Sequence, residues 1–232
     1  MPDCLVIFDC DGVLVDSETL SAQVMRAMAA EAGLTVARED ALPLIRGRKV
    51  AEWVAELGEG LGRPLPDTFI PEFRRRTAVA FAAELRAVPN VEQVLRALAL
   101  PFCTASSAPA EKVRLTLGLT GLLPYFEDRI YSAYDVGAWK PDPGLFRHAA
   151  ADMGVAPERC AVVEDSLVGV QAGVAAGMTV FGYAPPGSGT DGPLRDAGAL
   201  TFASMERLPA LLDAWHARMT TRRTGGGRRA AS

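Results

Sequence analysis

The sequence predicts an α/β protein: a doubly wound parallel sheet with an all-helical block inserted after the first strand. Three observations carry this. Short apolar runs recur along the chain and are continuously apolar rather than alternating, as in parallel strands covered on both faces. Helical patterns separate most of them, the rhythm of a doubly wound sheet. Residues 17–88 break that rhythm and hold helical patterns only. With 232 residues, 49% hydrophobic and 22% charged, the chain has ample material for a core, which excludes wholesale disorder and collagen-like repetition.

In chain order, the first strand is 5–8, and its apolar run stops at Asp9. In the helical block, Leu20, Val24 and Met28 fall at i, i+4 and i+8, the stripe of an amphipathic helix. Residues 51–57 and 69–85 also read as helices, with turns supplied by the glycines of 58–62 and by Pro64 and Pro66. Val88-Pro89-Asn90 reads as the return from the insert. Strands follow at 102–104, 129–132, 161–163, 179–183 and, more weakly, 200–202, with helices at 111–119, 143–153 and 167–176. Residues 166–190 carry no charge, but their glycines and the Pro185-Pro186 pair make them a helix, a strand and a loop rather than a membrane span. The expected division is a core of 1–16 and 89–215, a helical cap of 17–88, and a disordered basic tail of 219–232.

The formal charge of −4 asks for neither nucleic acid nor an anionic surface. Cys4, Cys10, Cys103 and Cys160 form no CxxC pair and sit in or beside apolar runs, as buried reduced thiols do. The first residues lack a basic leader pattern. A cytoplasmic monomer is expected, with no nucleic-acid or membrane partner. Of 24 Lys+Arg only three are lysines: Lys49, Lys112 and Lys140. One of them is expected to matter.

Four short segments carry chemistry. Asp9-Cys10-Asp11-Gly12 places two carboxylates where the first strand ends, at the crevice in which open α/β sheets bind ligands. Such acids repel unless a cation lies between them; an acidic turn fits the same letters. Glu164-Asp165 repeats the arrangement after the 161–163 strand, and also suits a helix N-terminus. If the two strands are neighbours, Asp9, Asp11 and Asp165 make an all-oxygen cage, the ligand type of Mg²⁺. Ser106 and Ser107 end another strand and suit either an anionic oxygen or a helix cap, since Pro109 opens the next helix. Lys140, followed by Pro141, is a compact charge in a chain that otherwise uses Arg; it suits a transferring phosphoryl group or simply the surface. Together these residues make a kit for phosphoryl transfer.

The run from Asp9 to Glu18 (DCDGVLVDSE) resembles the first motif of the haloacid dehalogenase superfamily; Ser106 resembles its second, Lys140 its third, and Glu164-Asp165 with Gly169 its fourth. The likeness spans residues 1 to about 215 and is most specific to the β-phosphoglucomutase-like branch of sugar-phosphate phosphatases. Ser132-Ala133-Tyr134-Asp135, Trp139 to Pro143 and 117–126 are similar to bacterial phosphatases acting on 6-phosphogluconate.

That resemblance implies Asp9 as nucleophile and Asp11 as acid and base. It implies Mg²⁺ on Asp9, Asp165, the Asp11 backbone carbonyl and waters, with Glu164 as ligand or support. It implies phosphate anchors at Ser106, Ser107 and Lys140, and a small phosphorylated metabolite as substrate. Ser17 and Glu18 at the start of the cap, and Arg46, Arg48 or Lys49 in its loop, are candidates for substrate contact; of Arg74-Arg75-Arg76 at most two can face a site.

A mutase of this branch carries His where this chain has Ser21 and a cap-loop Arg where it has Val50, so the phosphatase reading leads. A dehalogenase lacks the acid at Asp11, and a phosphonatase needs a Schiff-base lysine for which Lys49 has no fitting surroundings. A non-enzymatic receiver domain predicts a far shorter chain with no insert.

Overall fold

A computed structural model describes residues 3–225. The chain begins with β1 (Leu5–Phe8) and then builds α1 (Ser17–Ala32), α2 (Arg38–Ile45), α3 (Val50–Gly60) and α4 (Phe69–Glu84) before returning. α5 (Val91–Ala97), β2 (Phe102–Ser106), α6 (Ala110–Leu119), α7 (Leu123–Phe126), β3 (Ile130–Ser132), α8 (Ala133–Val136) and α9 (Gly144–Asp152) follow. The last third holds β4 (Cys160–Glu164), α10 (Leu167–Ala175), β5 (Thr179–Tyr183), α11 (Asp191–Asp196), β6 (Leu200–Phe202) and α12 (Leu208–Gly225). All six strands pair in parallel, in the order β3-β2-β1-β4-β5-β6, so the expected doubly wound sheet is the one observed.

Because successive strand residues point to opposite faces, β1 divides its side chains between two cores. Val6 and Phe8 join one face with Val94 of α5, Leu117 of α6 and Leu212 and Trp215 of α12. Leu5 and Ile7 join the other with Phe146 of α9, Val170 of α10 and Leu194 of α11. The continuous apolar lettering of the strands thus has its physical cause: both faces are covered. Residues 17–84 have a hydrophobic cluster of their own, in which Trp53 packs edge-on against Phe73 with ring centroids 4.9 Å apart. Two backbone bonds clasp the crossings between this block and the sheet: Asp16 N–H to the Arg86 carbonyl at 3.0 Å and Val88 N–H to the Leu14 carbonyl at 2.9 Å.

The structure adds α5, α7, α8, α11 and α12, which the sequence patterns did not mark, and departs from the expectations at α2, at the start of α6 and in the tail. α2 was not foreseen, because Pro43 lies inside it. α6 begins at Ala110 with Pro109 as the residue before it, so Pro109 does not lie inside the first turn and neither Ser106 nor Ser107 caps the helix. Residues 219–225, expected to be disordered, continue α12. Leu208, Leu212, Trp215 and Met219 form an apolar stripe against the sheet-face core, and burial of that stripe carries the helix onward. Residues 226–232 of the expected tail lie outside the described residues. All four cysteines are buried and free. No described helix is long and apolar enough to cross a membrane.

Candidate active site

β1 lies between β2 and β4, with Phe8 level with Thr104 on one side and Val163 on the other. Strand order therefore brings together residues distant in sequence. Asp9 follows β1, Ser106 ends β2 and Glu164 ends β4, all at one edge of the sheet. Asp9 N–H is bonded to the Val163 carbonyl at 2.9 Å, which ties the two acidic segments directly.

Asp9, Glu164 and Asp165, all buried, each offer a carboxylate oxygen within 4.8 Å of the others. Lys140 donates to Asp9 and, at 2.6 Å, to Glu164. The second Glu164 oxygen accepts the N–H groups of Asp165 and Ser166 and the Ser166 hydroxyl, each at 2.9 Å, so Glu164 shapes the loop that carries Asp165. Two close approaches explain the glycines. A Cβ on Gly12 (φ +83°) would lie 2.2 Å from an Asp165 oxygen, and one on Gly169 would lie 1.9 Å from the Glu164 carboxylate. Only a residue without a side chain fits either place.

Burial raises the Asp9 pKa to about 8, with Glu164 and Asp11 adding to the rise and Lys140 opposing it. Burial likewise pushes Asp165 well above the carboxylate range, helped by Glu18, Glu164 and Asp9 and opposed by Arg46, whose Nε lies 3.9 Å away. Burial opposes the charge on Lys140, but Asp9 and Glu164 outweigh it and hold the ammonium above its ordinary value. Three carboxylates against one ammonium and one distant guanidinium leave uncompensated negative charge. An all-oxygen, anionic, buried group of this kind fits a hard divalent cation.

The side chain of Asp11 does not join this group, which corrects the cage of Asp9, Asp11 and Asp165; Glu164 completes it instead. Lys112 Nζ donates to both Asp11 oxygens at 2.9 Å, and Ser17 Oγ donates to one of them. Burial raises Asp11, but Lys112 and Ser17 outweigh it and the carboxyl lies below its ordinary value. Ser106 is buried and accepts the Ala108 N–H at 3.1 Å, with Ser107 beside it on the cavity wall.

These groups open on a cavity of about 360 Å³ between the sheet edge and the helical block. Among the cap residues singled out from the sequence, Ser17, Glu18, Arg48 and Lys49 line it, whereas Arg46 stands behind it, 2.8 Å from Glu18. Arg48 pairs with Glu56 at 2.8 Å, and Lys49 lies 4.8 Å above the Trp139 ring. Burial raises Glu18 to about 7, opposed by Arg46.

Lys112 escaped the sequence reading. Its signal was its rarity: all three lysines of the chain line this cavity, where one was expected to matter. Trp53, Phe73 and Phe81, which build the apolar wall, also escaped it.

The family model of haloacid dehalogenase-like hydrolases matches residues 5–177. The 6-phosphogluconate phosphatase of Escherichia coli is 36% identical over 215 residues, covering 92% of this chain and 95% of that protein. The plasmid phosphoglycolate phosphatase of Cupriavidus necator is 31% identical over 223 residues, covering 91% and 94%. A haloacid dehalogenase-like protein of unknown function from Agrobacterium tumefaciens superposes with a TM-score of 0.82 at 34% identity, covering 92% of this chain and 99% of that one. A family hydrolase from Deinococcus radiodurans, solved with phosphate and sodium, gives 0.76 at 32%, covering 94% and 97%. With its strand-end acids gathered on a parallel sheet and the family pattern running through 5–177, the chain belongs to the haloacid dehalogenase-like hydrolases.

Proposed function

We propose that this hydrolase is a cytoplasmic, Mg²⁺-dependent phosphatase that cleaves a small phosphorylated sugar or sugar acid, of the kind of 6-phosphogluconate, through an aspartyl-phosphate. One observation carries the reading: Asp9, Ser106, Lys140 and the Glu164-Asp165 pair converge from three adjacent strands and the 133–143 segment onto one cavity. The names of the E. coli and C. necator relatives support the substrate class, and the buried free thiols support the compartment.

An Asp9 oxygen attacks phosphorus and the bond to the sugar oxygen breaks. Asp11 gives a proton to the departing alkoxide, then takes one from the water that cleaves the acyl-phosphate and returns Asp9. The cycle starts from the protonated Asp11; once that proton is given, the ionised form that Lys112 and Ser17 favour is the one that accepts the water's proton and restores the acid. Asp9, Glu164 and Asp165 would hold Mg²⁺, which when bound supplies positive charge to offset that of Asp9 and the phosphoryl oxygens. Ser106 and Lys140 orient the non-transferring oxygens. The helical block excludes bulk water from the intermediate.

Phosphate release is measured on a panel of 6-phosphogluconate, phosphoglycolate, fructose 1-phosphate and β-glucose 1-phosphate, with Mg²⁺ or EDTA. Mg²⁺-dependent release is expected, abolished in Asp9→Asn with the melting temperature retained. More than a few per cent residual activity in that variant refutes the nucleophile. Conversion of β-glucose 1-phosphate without free phosphate refutes the phosphatase in favour of a mutase.

A further inference from the structure

Five cationic side chains line the cavity: Arg48, Lys49, Arg74, Lys112 and Lys140. Four are engaged, with Glu56, the Trp139 ring, Asp11, and the Asp9–Glu164 pair respectively. Arg74 has no acidic, hydrogen-bonding or ring partner among the described residues. Its neighbours on α4 are spent elsewhere: Arg75 and Arg76 bind Glu72 at 2.8 and 2.7 Å, and Arg76 also binds Glu31 at 2.6 Å. Successive helix residues point about 100° apart, so of the three arginines α4 gives Arg74 to the cavity.

A second observation stands one turn on. Thr77, at i+3 and therefore on the same face, also lines the cavity and is 5% exposed. Its Oγ1 is buried with no hydrogen-bond partner. A buried hydroxyl left unpaired is costly and rare, and because Thr77 lines the cavity a turn about its χ1 would offer this one to what enters.

α4 also runs along the cavity from the chemistry outward. Phe81 of α4 lies under Lys112 Nζ, 5.9 Å from its ring centre, and Lys112 holds Asp11. Going back from Phe81 through Thr77 to Arg74 is seven residues, about 10 Å of helix, so Arg74 stands toward the end of α4 remote from Lys112 and Asp11.

The geometry points to a distal subsite, made by Arg74 and Thr77, that takes the carboxylate at the end of the substrate remote from the phosphoryl group. This rests on the phosphatase reading above and narrows it: the substrate class is phosphorylated sugar acids rather than neutral sugar phosphates. A guanidinium matches a planar carboxylate with two parallel bonds, and the hydroxyl donates a third. One guanidinium and one hydroxyl suit a single negative charge, and Trp53 and Phe73 beside them are apolar.

The test compares 6-phosphogluconate with glucitol 6-phosphate, which differ only in carboxylate against CH₂OH at C1. The unaltered protein is expected to prefer the acid in kcat/KM. Arg74→Gln is expected to reduce that preference about 10- to 100-fold, chiefly through KM, as the loss of a charged hydrogen-bonding pair implies. Thr77→Val is expected to raise KM for the acid while the ligand-free melting temperature holds or rises, because the lost hydroxyl had no partner. An unchanged acid-to-polyol preference in Arg74→Gln, with both compounds still hydrolysed, overturns the subsite and leaves the phosphatase standing. An unchanged KM, or a lowered melting temperature, in Thr77→Val overturns the part of the hydroxyl. Hydrolysis of neither compound by the unaltered protein, or of any on the panel, overturns the phosphatase reading and the subsite with it.

Discussion

Replacing Gly169 with alanine puts a methyl group where the Glu164 carboxylate lies. The new Cβ would sit 1.9 Å from Cδ and Oε1 and 2.4 Å from Oε2, far inside any permitted contact, so the carboxylate must leave. Its departure frees two backbone N–H groups in the Asp165 loop, each bond contributing about 1 kcal/mol. It also removes one of the two partners of buried Lys140. Breaking a buried ion pair outright costs about 3–5 kcal/mol, and since Asp9 remains, the lower end applies. Alanine in a helix interior returns about 0.5–1 kcal/mol. The net loss is about 4 kcal/mol, which for a chain of this length lowers Tm by about 8–16 °C. Gly192→Ala in α11 is the control: nothing lies within 4 Å of its Cβ, so its Tm should hold or rise. Calorimetric melts of both variants, with phosphate-release rates alongside, provide the comparison. A Gly169→Ala protein that melts within about 2 °C of the unaltered one and keeps its full rate would refute the place given to Glu164.

Two further perturbations separate charge from packing. Lys112→Met removes the cation that holds Asp11 below its ordinary pKa, leaving burial to raise it; the acidic limb of the rate profile should move to higher pH and kcat should fall at least about 10-fold. An unmoved limb would deny Lys112 any hold on Asp11. Stability should also depend on pH in a definite sense. Asp9 titrates at about 8 and Glu18 at about 7 in the fold, against about 4 when unfolded. Between those values the folded chain holds more protons than the unfolded one, so metal-free stability falls as pH rises from about 4 to about 8. Glu72, held near 2 by Arg75 and Arg76, acts below that window. Saturating Mg²⁺ should raise Tm most at the alkaline end, where Asp9 is ionised only at a cost. A metal-free Tm that climbs across this interval would contradict the shifts.

Much of this architecture was legible because its signals are local. Continuous apolar runs mark strands buried on both faces, and the positions of the acids, Ser106 and Lys140 directly after strands or before Pro141 are set by adjacent letters. The stripe of Leu208, Leu212, Trp215 and Met219 was equally present in the letters, yet the basic and glycine-rich residues beyond it suggested disorder from 219. α2 was hidden because an internal Pro43 contradicts helix propensity while Ala41 and Ile45 are buried in the cluster of the helical block.

Which partner each charge finds was a matter of tertiary structure. Lys140 reaches Asp9 across 131 positions and Lys112 reaches Asp11 across 101, distances over which no sequence periodicity extends. The order β2-β1-β4 closes those gaps, and it drew Asp11 away from the acidic cluster and Glu164 into it. The choice of Arg74 over Arg75 and Arg76 had the same origin. Three identical adjacent letters differ only in azimuth on α4, and Glu72 and Glu31 had to be in place before one of them was left to the cavity. The sequence by itself determined the elements and the chemical groups at their ends, because propensity and burial pattern are local; pairing, charge compensation and the shape of the cavity were decided by packing, because they depend on which strands and helices become neighbours.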